Sequence, residues 1–520
     1  MNIATKDRTE PLRVRPMEPA SRLLGASIFP STWAGRAALF VGLATILRWI
    51  VAISTGLTDT EAYYSQWVRV PALSYYDHPP LIAWTTWLAT RIARAPWAVR
   101  LGPVLYAPLF SALVYRLAAR LFSPRAGFLA VTLLTAIPVF FVMGVLLNPE
   151  GLLAPLWVLF LLLLLDLREN DEPWRPLAIG AAVGVAFLAK YTAILELPVA
   201  LLYVAGSGRT RRWLGRPSFY AGGAVALAVA SPVIVWNAAY GWPSVHLHLT
   251  ERMGHSPGES LAGALWRVGS AQLLIFQPLI VPALIAVLGY AVFRSKRDER
   301  WRFLATASLP VLAFLWTMMV RAGDSEPHWT MVGYVPLVIG AAGLIDANSG
   351  DLGRLARGAF AAALVLSAGV LGVYAVHVRS PSLAKTLASY DPNADPLNET
   401  LGWDRVNAAV GAHAAKLGRD AVVAAAHNVL CGHLQAALDD SPAVYCPSPR
   451  RTEFDFAGRR DPPTNAPVVF VDSDRYPQDA AFALPRLACT HVQDVEIERS
   501  GLRVARYRIH ECRPREERRP

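Results

Sequence analysis

Apolar residues recur along this chain in runs too long for the strands or surface helices of a soluble fold. Runs such as 151–165 and 359–376 approach the roughly 20 residues that carry a helix across a hydrocarbon core. The pattern predicts a polytopic α-helical membrane protein with about 11–13 transmembrane helices. The runs lie at 34–54, 97–119, 126–147, 151–167, 176–190, 192–206, 217–236, 262–292, 302–320, 329–346 and 357–377. The stretch 176–206 reads as two short arms, because basic residues flank it on both sides (Arg168 and Arg175 before, Arg209 to Arg216 after). Two flanks on one side of a membrane require an even number of crossings, so the chain is expected to turn near Lys190. Beyond 377 the pattern changes. Short alternating pieces at 467–471 and 503–507 predict a small α/β domain.

Lys and Arg give this frame a direction. They gather in the loops at 116–125, 207–216 and 293–302, which alternate to one face and mark it as cytoplasmic. The expected organisation is a cytoplasmic tail at 1–33, a transmembrane domain at 34–377 with an outer loop at 55–96, and an extracytoplasmic domain at 378–520. The tail lacks an apolar stretch followed by a small-residue cleavage site, so no cleaved signal peptide is expected. Within the outer loop, 80–93 reads as an amphipathic interfacial helix carrying Trp84 and Trp87.

Composition agrees with this picture. Of 520 residues, 54% are hydrophobic and 17% charged, against roughly 25% charged in soluble domains. The net charge of +11 is spread over short loops, which argues against a nucleic-acid partner. The four cysteines, Cys431, Cys446, Cys489 and Cys512, all lie in the C-terminal domain, and none has CxxC spacing. Disulfides suit an outer compartment. Proximity in sequence favours Cys431–Cys446, with Cys489–Cys512 as the further pair.

Chemistry concentrates on the outer side. The outer loop holds Asp59, Glu61, Tyr63, Tyr64, Tyr75, Tyr76, Asp77 and His78. Carboxylates there suit general-base work on a sugar hydroxyl, and the aromatic residues suit a sugar or lipid. An aromatic belt with solvated acids is the plainer reading. Glu150 at a helix mouth is either a further acid or a helix cap. Lys190 is either a phosphate-binding point charge or a snorkelling side chain. Asn237, His246, His248, Arg252 and His255 follow in the loop at 237–261, and His328 and Trp329 open another helix. His246 and His248 lack the i, i+4 helical spacing of a metal pair, so neither a metal nor a cofactor is expected.

Several of these residues carry a family resemblance. Glu61-Ala62-Tyr63-Tyr64 followed by Tyr76-Asp77-His78-Pro79-Pro80-Leu81 resembles the polyprenyl- or dolichyl-phosphate-sugar-dependent glycosyltransferases with the C-type membrane fold. That group includes protein mannosyltransferases and lipid A aminoarabinose transferases. Asn148-Pro149-Glu150, Lys190-Tyr191-Thr192, Trp236-Asn237 and His328-Trp329 extend the likeness over about residues 34–345. The family opens its first outer loop with an Asp-Glu pair. Here Thr60 stands at the Asp position, Glu61 keeps the Glu, and Asp59 lies one residue earlier.

The resemblance implies transfer of a sugar from a polyprenyl-phosphate donor to a lipid, polysaccharide or protein acceptor at the outer face of the cytoplasmic membrane. It implies Asp59, Glu61 and Glu150 as the catalytic acids. Lys190, Tyr191, Arg252, Tyr63, Tyr64, Asp77, His78, Asn237, His328 and Trp329 would hold the donor and its phosphate. The alternative, a transporter or flippase of lipid-linked substrates, would favour repeated halves, and the sequence has no internal repeat.

Overall fold

The computed structural model describes residues 31–93, 95–252, 259–323, 325–347, 350–379, 390–438 and 441–515. His255 falls outside these. Among the described residues six helices are long and apolar enough to cross a membrane: Trp33–Ser54, Pro96–Leu121, Pro149–Glu169, Pro217–Ala239, Glu299–Arg321 and Pro327–Asp346. The number rises to eight if two bent pairs each count as one span, and shorter apolar helices lie at Pro124–Ala136, Arg175–Ala189 and Ala356–Val370.

Two predicted spans are broken, each for a local reason. The run at 262–292 is two helices, Leu261–Phe276 and Ile280–Arg294, bent by 102°. Gln277 sits between them at φ 78° and precedes Pro278, which excludes helical backbone at its neighbour. The run at 126–147 stops at Ala136, and a five-residue helix restarts at Pro138. The turn expected near Lys190 is an extended residue closing the helix Arg175–Ala189. The next arm, Tyr191–Ala205, bends by 108° into Gly208–Gly215.

Helix packing follows membrane rules, in which small residues let backbones approach. Gly180 meets the backbone of Gly222 so closely that a Cβ on either would overlap the facing chain. At one end of the bundle the basic loops are tied by ion pairs. Arg120 reaches Asp166 and Glu169 at 2.6 and 2.8 Å, Arg175 reaches Asp166, and Arg212 and Arg216 reach Asp171. The helix Pro149–Glu169 runs from Glu150 at the other end to Asp166 at this one.

The C-terminal part is a five-stranded mixed sheet in the order β2-β1-β3-β5-β4. Its strands are β1 (Val422–Ala424), β2 (Val444–Tyr445), β3 (Val468–Ser473), β4 (Leu487–Arg499) and β5 (Leu502–Pro514). The first three pair in parallel, while β3, β5 and β4 pair antiparallel. One face packs against the helices Trp403–Leu417 and Asn428–Leu438. Its core is continuous with the outer loop: Val423, Val469, Cys431 and Leu434 share one apolar cluster with Tyr63, Trp67, Tyr75 and Ile82. The loop is therefore ordered as part of the outer domain's core. The helix Leu81–Thr90 turns Ile82, Ala83 and Thr86 inward and leaves Trp87 and Leu88 exposed.

Cys489 and Cys512 face each other on β4 and β5 and are disulfide-bonded, while Cys431 and Cys446 are buried free thiols. Proximity in sequence pointed to the other pair first; strand pairing decides otherwise. Thiol titration of protein denatured without reductant is expected to find two free thiols, and peptide mapping to link Cys489 with Cys512. By chain entropy this bridge contributes about 3 kcal/mol, so Cys489→Ser should lower thermal stability while Cys446→Ser leaves the bridge intact.

Candidate functional site

The outer loop begins with a capping box. Thr58 caps the helix Asp59–Ser65 through the Glu61 N–H, and Glu61 returns to the Thr58 N–H at 3.0 Å. Glu61 does much more. Arg100 donates to both its oxygens, Nε to Oε1 at 2.8 Å and Nη2 to Oε2 at 2.6 Å, and the Leu147 N–H donates to Oε1 at 3.0 Å. Both side chains are wholly buried. Arg100 spends its other donors on the end of the first helix, at the carbonyls of Ala52, Thr55 and Gly56 and the Thr55 hydroxyl. A buried pair is tolerable only when its lone pairs and protons are met in this way. The Glu61 carboxylate thus has both oxygens committed to the fold. Arg100 did not figure among the candidates, although an arginine inside an apolar run is a recognisable signal.

Asp59 turns the other way, into the C-terminal domain. His433 Nε2 donates to it at 3.0 Å, the Tyr476 hydroxyl at 2.7 Å, and Arg475 Nε lies 3.4 Å away. Its N–H donates to Glu399, whose carboxyl is pushed up to about 7 by burial and then by Asp59. His433 stacks on Trp403 at 3.8 Å. The helix bearing it approaches Ala62 and Tyr63 so closely that only glycine fits at 432. These partners stand more than 300 residues from Asp59 in sequence, so no local pattern announces them.

The remaining candidates converge on one mouth. Asp77 Oδ2 accepts from the Tyr63 hydroxyl at 2.6 Å, and Arg252 Nη2 lies 3.9 Å from Oδ1. The side chains of Asp77 and Arg252 are 17% and 26% exposed, against 0% for Glu61 and 4% for Glu150. Asp77 is therefore more accessible than either of those acids, and burial raises its carboxyl above the ordinary range against the pull of Arg252. His248 Nε2 donates to the Asp77 carbonyl at 2.9 Å, and His78 shares a hydrogen bond with the Tyr64 hydroxyl at 3.0 Å.

Beside them Lys190 pairs with Glu150, and His328 Nε2 lies 3.0 Å from the same oxygen. The Lys190 ammonium stands 5.9 Å from the Trp329 ring centre. His78 feels the charges of both groups. Its imidazole is held well below the ordinary range by burial, then by Lys190, Arg252 and His248, with Glu150 opposing. Burial likewise pushes up the Tyr64 hydroxyl, followed by Asp77 and Glu150. Tyr191 sets its ring edge on His248 at 5.1 Å and its hydroxyl 3.5 Å from Ser74. Asn237 has a framework role, accepting from the Ser244 N–H at 3.2 Å.

The outer domain closes one wall. Glu453 accepts from the Tyr76 N–H at 2.7 Å, its own N–H donates to the Tyr63 hydroxyl at 3.0 Å, and Phe456 packs on Tyr76, Trp236 and Tyr240. Among the described residues, no three His, Cys, Asp or Glu side chains group as a metal-ion site.

Residues 77–236 match the dolichyl-phosphate-mannose-protein mannosyltransferase family. The lipid A galacturonosyltransferase RgtD of Rhizobium johnstonii is 26% identical over 313 residues, 58% of this chain and 63% of that protein. The chain thus spans a little under two thirds of that relative. ArnT from Cupriavidus metallidurans superposes with a TM-score of 0.59 at 16% identity, both in the apo state (92% of this chain, 98% of ArnT) and bound to undecaprenyl phosphate (94% and 99%). This multi-pass membrane protein has the C-type fold of ArnT, and its stretch from Asp77 to Trp236 matches the protein-mannosyltransferase family model.

Proposed function

We propose that the protein is an inverting glycosyltransferase at the outer face of the cytoplasmic membrane, moving a sugar from a polyprenyl-phosphate donor to a glycolipid acceptor of the lipid A type. One observation carries this reading. Two cation-bearing groups, Lys190 with Glu150 and His328, and Arg252 with Asp77, meet at one partly open mouth where membrane helices end. The printed ligand of the ArnT neighbour, undecaprenyl phosphate, and the printed activity of RgtD support the two substrates. The separation of the ion-paired basic loops from this mouth by the length of a crossing helix supports the sidedness.

The chemistry follows from the charges. A lipid-linked phosphate arrives at the level of the helix ends and needs cations to stabilise it as it leaves. Lys190 and Arg252 supply them, each released in part from its resting carboxylate. The attacking hydroxyl needs a base, and Asp77 suits that task better than the acids first expected. Glu61 has no oxygen to offer, and Asp59 is engaged by the outer domain. The raised Asp77 carboxyl is nearer in proton affinity to a useful base. Direct displacement inverts the anomeric carbon and needs no covalent intermediate.

Purified protein incubated with a polyprenyl-phosphate sugar and lipid A is expected to release polyprenyl phosphate and yield a glycosylated product. A flippase would move the donor without cleaving it. Asp77→Asn should keep the protein folded and lower transfer about 10²- to 10⁴-fold, the usual loss of a general base. Lys190→Met should lower transfer at least ~10-fold with weaker donor binding. Glu61→Ala should act on the fold, costing about 3–5 kcal/mol by stranding Arg100, read as a lower unfolding temperature and yield. Full transfer by folded Asp77→Asn would return the base to Glu150. In a background lacking Cys431 and Cys446, an impermeant thiol reagent should label Ala481→Cys in intact cells and spare Gly208→Cys.

A further inference from the structure

Glu453 is an acid that neither the resemblance nor the charge pattern singles out. It reaches the site from the opposite end of the sequence. It lies at the start of the short helix Glu453–Phe456 in the outer domain and is 8% exposed. Its carboxyl takes the Tyr76 N–H at 2.7 Å, and its own N–H donates to the Tyr63 hydroxyl at 3.0 Å. That hydroxyl in turn donates to Asp77 at 2.6 Å. Both ends of the residue therefore act on Asp77, one through the adjoining backbone and one through a tyrosine whose oxygen must accept from Glu453 in order to aim its proton at Asp77.

We propose that Glu453 is a positioning residue for sugar transfer, fixing the Asp77 carboxylate in a site that is complete only when the outer domain is docked on the first outer loop. This rests on the reading of the protein as a glycosyltransferase with Asp77 as base. The groups facing Glu453 are Asp77, Tyr63, Tyr75 and Tyr76 from the loop and Asp455 from its own helix. The cations beside this set are Arg252, paired with Asp77, and Arg451, which lies over the Phe456 ring and acts on Tyr76, where Glu251 opposes it. The Glu453 carboxyl is pushed up to about 8, by burial first, against the hydrogen bond from the Tyr76 N–H, with Asp77 and Asp455 adding to the rise. At neutral pH it carries its proton, and a second negative charge beside the base is avoided. The sign follows. Its proton affinity is higher in the docked state than in a solvated chain, so docking is strongest at low pH and is lost progressively as pH rises through about 8.

The test compares Glu453→Gln with Glu453→Ala in the full-length protein, using a polyprenyl-phosphate sugar and lipid A, with kcat and KM measured from about pH 6 to about pH 10. The glutamine mimics the protonated acid. It is expected to keep transfer near the wild-type level at neutral pH and to abolish an alkaline fall in kcat centred near 8. The alanine is expected to lose kcat at least ~10-fold with little change in KM, because orientation is lost rather than binding. Wild-type kcat in the alanine variant, loss in the glutamine variant equal to that in alanine, or an alkaline limb unchanged in the glutamine variant would each overturn the proposal. If alanine does not fold, the glutamine comparison decides alone. Unfolding temperature against pH supplies a reading that needs no substrate. The wild type should lose stability toward pH 8 more steeply than Glu453→Gln, and parallel curves would overturn the docking role. Absence of any transfer by the wild type together with divergent stability curves would overturn the glycosyltransferase reading and leave the docking contact standing.

Discussion

The outer half of this molecule depends on one ion pair. Arg100 and Glu61 sit fully buried at the point where the first helix ends, the outer loop begins and the chain turns toward the helix of Glu150. Charges so placed are costly in an apolar setting unless every donor and lone pair is used. Here the guanidinium gathers three carbonyls and a hydroxyl, and the carboxylate gathers donors from Thr58, Arg100 and Leu147. The pair does more than join two side chains. It fixes the exit of one membrane helix, the start of the loop and the approach to another in a single arrangement.

That arrangement decides where the chemistry can be. With Glu61 committed to the fold and Asp59 turned into the network of His433, Tyr476 and Arg475, the acid left at the open mouth is Asp77. The membrane helices contribute Glu150 and Lys190, the loop contributes Tyr63, Tyr64, Asp77 and His78, and the outer domain contributes Glu453 and Phe456. Three parts of the chain thus meet in one cluster whose charges are already paired. Lys190 and Arg252 each rest beside a carboxylate, so neither charge is held bare.

The sequence revealed one class of features well and another poorly, for a physical reason. Apolar runs report burial in lipid directly, so the helices at 33–54, 149–169 and 217–239 could be read from hydropathy alone. Breaks depend on one or two residues, and Pro138 and the Gln277–Pro278 step were outweighed by the apolar residues around them. The site showed the same division. Asp77, His78, Glu150, Lys190, Arg252 and His328 announce themselves as polar residues beside apolar runs, and the structure gathers them. What each acid does was hidden, because the roles of Glu61 and Asp59 are set by Arg100, His433 and Tyr476, across separations no periodicity records. Cys489 and Cys512 became neighbours only through strand pairing.

The hydrogen bond from Glu453 to Tyr63 joins residues 390 positions apart, and this has a bearing on biogenesis. During synthesis the first outer loop emerges early, carrying most of the polar residues of the pocket, while the membrane bundle is still being inserted. The wall formed by Glu453 and Phe456 arrives only with the C-terminal domain, once its sheet has folded. A nascent or prematurely terminated chain would therefore lack the contacts from Glu453 to Tyr63 and Tyr76. The order in which the ribosome delivers these segments therefore delays the completed arrangement until the C-terminal sheet has been made.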